Sequence, residues 1–202
     1  MVFLLDSGRF ETFIDAILAI MMTVMVLKIP QPETLSLSGI MDLSVVYLSY
    51  LISFIIIASI WNNHRKLFDK IKKIDNYVIA IYMVLTFIIT LVPYFTYWVS
   101  GNPYSLAPEI CYGSLFILTN VLYLLASHIA VKHDKFNKNS HLDSSRYVNL
   151  NLIIYTIFII GFLIGIYINP IAILISCLLS AIVWNLPLKI INILDNSDTH
   201  GY

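Results

Sequence analysis

Glu11 and Asp15 stand four residues apart, which puts both carboxylates on one face of any helix that holds them. There they repel one another and need a cation. In a membrane-crossing chain the nearest basic residues on the same side are His64 and Arg65. A carboxylate facing an imidazole can relay protons or act as an acid–base pair. It can also tie two helices together. No nucleophile accompanies the pair, and no metal-ligand set does, so an intramembrane enzyme is weakly supported and no metal is expected. The arrangement predicts that the first helix docks on the second, or on a neighbouring subunit, through Asp15 and His64 or Arg65.

The acids belong to the run Arg9–Leu27, RFETFIDAILAIMMTVMVL. About 20 residues at about 1.5 Å each span about 30 Å, the thickness of a hydrocarbon core. Charge in such a helix is expensive to insert and points to function. At about 100° per residue, Phe13, Ala16, Ile20, Val24 and Leu27 fall in one narrow stripe, with Thr23 at its edge. Glu11 and Asp15 fall on the opposite side. An apolar stripe on a membrane helix ordinarily meets lipid or packs in a core. Several copies of it around an axis make a hydrophobic constriction that gates by dewetting.

The rest of the chain supplies the frame. Of its 202 residues 59% are hydrophobic and 12% are charged, and mean hydropathy is +0.83. Soluble domains carry about 25% charged residues, so an integral membrane protein is expected and most soluble-enzyme readings fall away. Six apolar runs stand out at approximately 10–29, 43–62, 77–99, 108–131, 150–168 and 171–191. The linker after the second run holds Arg65, Lys66, Lys70, Lys72 and Lys73. The linker after the fourth holds Lys132, Lys135, Lys138 and Arg146, and Lys189 lies near the last helix end. The opposite side has only Lys28, so both termini are expected in the cytoplasm. No cleavable signal peptide is evident. The whole span 1–202 reads as one domain.

Several residues receive structural readings. Asn169-Pro170 predicts a tight turn and an antiparallel hairpin of the last two helices. Gly161 and Gly165 predict a close helix-packing face. Pro93 predicts a kink in the third helix. Asn120 and Asn185 read as interhelical hydrogen-bonding groups, and Cys111 and Cys177 as packing residues. Tyr94, Tyr97 and Trp98 read as an interfacial aromatic belt. His128 and His133 read as interfacial histidines rather than metal ligands.

The string Arg9-x-x-x-Phe13-x-Asp15, followed by Ala19-Ile20-x-x-Thr23-x-x-x-Leu27, resembles the first helix of the transmembrane protein 175 family. Those proteins are potassium channels of prokaryotes and of animal endosomes and lysosomes. Trp61-Asn62-Asn63-His64-Arg65-Lys66-Leu67-Phe68 is similar to the family's Trp-x-x-His-His-x-x-Phe. These motifs cover the first two helices only. Two positions depart from the pattern: the motif serine is Ile14 and the second histidine is Arg65.

The resemblance implies an all-α integral membrane protein with six transmembrane helices per subunit, the first lining the central pore of a homotetramer. It implies a hydrophobic constriction at Ile20, Val24 and Leu27, and a potassium-selecting threonine at Thr23. It also implies a polar network of Arg9, Phe13, Asp15, Trp61, His64 and Arg65 that holds the first helix. The expected function is a potassium-over-sodium channel in the cell membrane, with no carbonyl filter and no cofactor beyond the permeant ion. Its partners are further copies of itself, potassium ions and the bilayer, with no nucleic acid. The alternative is a proton-coupled secondary transporter using Asp15 and His64, which the lack of midplane charge disfavours.

Overall fold

A computed structural model describes residues 5–69, 71, 73–133 and 144–185. Among these the regular secondary structure is helical apart from one two-residue strand pair. Long apolar runs become helices because a backbone in hydrocarbon must satisfy its polar groups within its own segment.

Strand β1 (Leu5–Asp6) leads directly into α1 (Ser7–Val26). A short helix, α2 (Leu37–Asp42), follows; the Ser36 side chain caps it by accepting from the Gly39 amide at 3.4 Å. Next comes α3 (Ser44–Phe68), with Arg65 and Lys66 in its last turn, where cations complement the helix dipole. Strand β2 (Lys73–Ile74) pairs antiparallel with β1, Leu5 against Ile74 and Asp6 against Lys73. This pair and α2 carry no periodic signal in the sequence. Asp75 then caps α4 (Asn76–Thr90), its carboxylate accepting from the Val78 amide at 3.0 Å.

The third apolar run is broken where Pro93 predicts. Helix α4 ends at Thr90, and α5 (Val92–Gly101) restarts with proline in its first turn. Proline has no N–H for the carbonyl four residues back and clashes with it. Helix α6 (Leu106–His133) returns across the bundle. Helices α7 (Ser144–Tyr167) and α8 (Ile171–Asn185) form the expected hairpin. At its turn the Asn169 side chain accepts from the Ile171 amide at 3.2 Å, and the Asn169 carbonyl accepts from the Ala172 amide at 3.1 Å.

Glycine lets α7 and its neighbours approach closely. A Cβ on Gly161 would overlap Ser176, and one on Gly165 would lie 2.5 Å from Ile173 Cγ1. One on Gly113 would lie 2.5 Å from Ile173 Cγ2 and 2.8 Å from the Phe162 ring. The two asparagines act between helices as expected. Asn120 accepts from the Tyr155 hydroxyl at 3.0 Å. Asn185 donates to Ser59 and accepts from Asn62 at 3.3 Å, joining α8 to α3. Cys177 is buried and Cys111 half-buried; both are free thiols.

Among the described residues, four helices are long and apolar enough to cross a membrane: Ser44–Phe68, Asn76–Gly101 (α4 and α5 together), Leu106–Ala130 and Leu150–Tyr167. Helix α1 is 20 residues long but carries Arg9, Glu11 and Asp15. Helix α8 is apolar over 15 residues. Of the basic residues behind the orientation reading, Lys70, Lys72, Lys135, Lys138 and Lys189 lie outside the described residues.

Candidate functional site

Helix α1 has two faces. Phe10, Ile14, Leu18 and Met25 are buried against the bundle. Their spacing of four, four and seven residues is one helical stripe. Helix α1 packs on α3, α5 and α4. The opposite face is bare: Phe13 is 46% exposed, Ile20 53% and Leu27 79%, with Ala16 and Thr23 also exposed and Val24 half-buried. This is the predicted stripe, and among the described residues nothing covers it.

Thr23 sits in that stripe. Its hydroxyl donates to the Ile20 carbonyl at 2.8 Å. The single donor is therefore committed to the helix, and the oxygen lone pairs remain as acceptors on the open side. A cation needs that polarity.

The docking of α1 on α3 occurs as expected, but through a different pair. The Trp61 indole N–H faces the Asp15 side chain. Asp15 Oδ1 is buried and has no hydrogen-bond partner. His64 does not reach Asp15. It lies 1% exposed, its ring 4.4 Å from the Phe68 centroid and 5.4 Å from that of Tyr82. Neither of its nitrogens has a hydrogen bond, although the Glu11 backbone faces the ring. The physical reason is reach. Trp61 lies almost one turn before His64 in a helix running opposite to α1, so it meets the deeper acid, and His64 meets the level of Glu11.

Arg65 also avoids Asp15. Its guanidinium lies 5.7 Å from the Trp61 ring centroid, a cation–π distance, and its charge acts favourably on Glu11. Arg9 is exposed. Phe13 belongs to the bare stripe; its one ring contact is with Phe10, at 6.4 Å and tilted. Ile14, where the resemblance has serine, is 3% exposed in the apolar seam. A hydroxyl has no role there, and isoleucine fills the space.

A ring cluster that sequence reasoning missed anchors this end of α1. Phe10 stacks on Phe68 at 6.1 Å and meets Tyr82 edge-on at 5.9 Å; Phe68 and Tyr82 are 5.3 Å apart. It joins α1, the end of α3 and α4. Phe68 stands in the quoted motif, but nothing in the sequence pairs it with Tyr82. Also unforeseen is a buried hydroxyl chain in which Ser53 of α3 bonds Thr96 of α5 and Tyr112 of α6, each at 2.7 Å. Among the described residues no group of three or more histidine, cysteine or acidic side chains could hold a metal.

Comparison with known proteins bears on this helix directly. Residues 9–93 match the family model of the endosomal/lysosomal potassium channel TMEM175. Over that stretch, which is under half of its length, the chain is similar to TMEM175. A potassium channel of Chryseobacterium sp. (strain P1-3) is 28% identical over 150 residues, 72% of this chain and 78% of that protein. A potassium channel of Chamaesiphon minutus is 28% identical over 127 residues, 58% of this chain and 63% of that one. The mouse endosomal/lysosomal proton channel TMEM175 is 33% identical over 94 residues, 44% of this chain and 19% of the mouse protein. The fold is similar to the crystal structure of a lysosomal potassium-selective channel TMEM175 homolog from Chamaesiphon minutus. That likeness has a TM-score of 0.65 at 21% identity and covers 89% of this chain and 98% of the other. With its long apolar helices the chain is a multi-pass membrane protein, and the proteins it matches are named as ion channels.

Proposed function

We propose that this protein is a potassium channel in which several copies of α1, most simply four, surround a central path. In this reading Ile20, Val24 and Leu27 form a hydrophobic constriction, and Thr23 offers oxygen acceptors that favour potassium over sodium. No carbonyl filter takes part, and potassium is the permeant species without a cofactor. The chain is one channel domain in the cell membrane, crossing it six times with both termini in the cytoplasm. The observation that carries the reading is the bare apolar stripe of α1, on a helix whose other face is sealed into the bundle. A helix that only packs or only meets lipid needs no Thr23 at that position. The relatives named as potassium channels supply the ion.

Trp61, Asp15 and Arg65 then act as supports that hold α1 in place. The proton-coupled transporter reading needs a relay from Asp15 to His64. It loses ground because His64 is closed among rings and neither of its nitrogens bonds Asp15.

The test is flux from purified protein in liposomes. Ile20→Ser and Leu27→Ser each wet the constriction and should raise potassium flux about tenfold, the effect of removing about 1.4 kcal/mol from a barrier. Flux unchanged in both, with the protein folded, sinks the reading. A passive current that tracks the potassium gradient, indifferent to a proton gradient, separates it from the transporter.

A further inference from the structure

Glu109 lies in the first turn of α6, at the end of the bundle opposite His64, and takes no part in the α1 site. Its side chain is 0% exposed, and among the described residues neither carboxyl oxygen has a hydrogen bond. The Leu174 backbone, in the first turn of α8, faces it without meeting hydrogen-bond geometry. The titratable groups that face it are Tyr112, one turn along α6, and Cys177 on α8. The Tyr112 hydroxyl is already bonded to Ser53 at 2.7 Å. Helices α4, α5 and α7 also pack on α6, and among the described residues they bring no charged group to Glu109.

A buried carboxylate with neither counter-cation nor hydrogen bond is strongly unfavourable, and a bound proton removes the charge. The opposing effect is the positive ends of α6 and α8, which both favour an anion. Each end acts within its own first turn, and neither supplies Glu109 with a formed hydrogen bond. We propose that Glu109 is a proton-binding site within the bundle, taking up and releasing a proton from the solution at the Lys28 end of the molecule. The step is a simple transfer: a proton from water bonds to one carboxyl oxygen, and no other bond changes. The inference rests on the fold alone and stands apart from the pore reading.

The experiment is an infrared pH titration of the whole chain in lipid nanodiscs, with isotope-labelled glutamate. The sequence has three glutamates, at 11, 33 and 109. In the Glu11→Gln, Glu33→Gln background Glu109 is the one labelled residue. The expected result is a carboxylic-acid carbonyl band that carries the isotope shift, disappears reversibly as the pH is raised and returns as it is lowered. Glu109→Gln in the unlabelled wild-type background should remove one such band. Glu109→Asp should keep a titrating band that no longer shows the glutamate isotope shift. If Glu109→Gln does not fold, the labelled background alone decides. A labelled group that stays a carboxylate throughout, held by the two helix ends, overturns the proposal. So does an acid band that never titrates while the protein stays folded.

Discussion

At the scale of single residues, Trp61 carries more than its aromatic area. Its ring lies beneath the Arg65 guanidinium and its N–H reaches Asp15. Trp61→Phe keeps a ring but removes the donor. Asp15 Oδ1 already lacks a partner, so the carboxyl then loses the donor that faces it from α3. Leaving a buried acceptor unpaired costs about 1–3 kcal/mol. Thermal unfolding should show that loss, and Asp15→Asn in the Trp61→Phe background should recover part of it. A Trp61→Phe protein as stable as wild type would mean that water or headgroups serve Asp15 equally well. His64 belongs to a different unit, the ring cluster with Phe10, Phe68 and Tyr82, despite standing three positions from Trp61 in the same motif.

At the scale of elements, the α7–α8 hairpin depends on its glycines. Any side chain at Gly161 meets Ser176, and the β-branched choice is the worst. Gly161→Val should destabilise the protein by about 1–3 kcal/mol, the usual cost of forcing atoms into a packed interface. Gly101, where a Cβ would meet nothing within 4 Å, is the control: Gly101→Ala should leave stability nearly unchanged. Equal effects at both sites in a thermal melt would contradict the close-packing account. The expectation of a small-residue packing face was correct. So were the proline break between α4 and α5 and the Asn169–Pro170 turn, because each rests on local chemistry. The strand pair between Leu5–Asp6 and Lys73–Ile74 was not legible, since two residues are too few to show a period.

For the whole molecule, the proposed pore requires other copies of the chain around the exposed stripe of α1. If the copies meet around one axis, a single cysteine on the stripe lies near its own counterparts. Ile20→Cys should therefore form disulfide-linked dimers on mild oxidation in membranes, whereas a cysteine on α4 away from the stripe, Phe87→Cys, should not. Phe87 is 63% exposed on α4, so the contrast is one of position rather than of burial. Native mass measured in nanodiscs should be that of four chains and independent of concentration. A monomer that conducts would refute the assembly and keep the permeation claim alive only in another form.

Features that rest on composition and local spacing were legible in the chain before any contact was known. Its hydropathy established a membrane protein of long helices, and the period of α1 alone separated Ile20, Val24 and Leu27 from Asp15. Periodicity reports which residues share a face. It is silent about what the face meets. That Asp15 faces Trp61 and His64 does not bond it came from the packed fold, because it depends on how far two antiparallel helices slide past each other. Only that packing showed that Phe10, Phe68 and Tyr82 converge, and that Glu109 is sealed between α6 and α8. Those contacts join residues far apart in the chain, and their partners are set by the packing of whole helices.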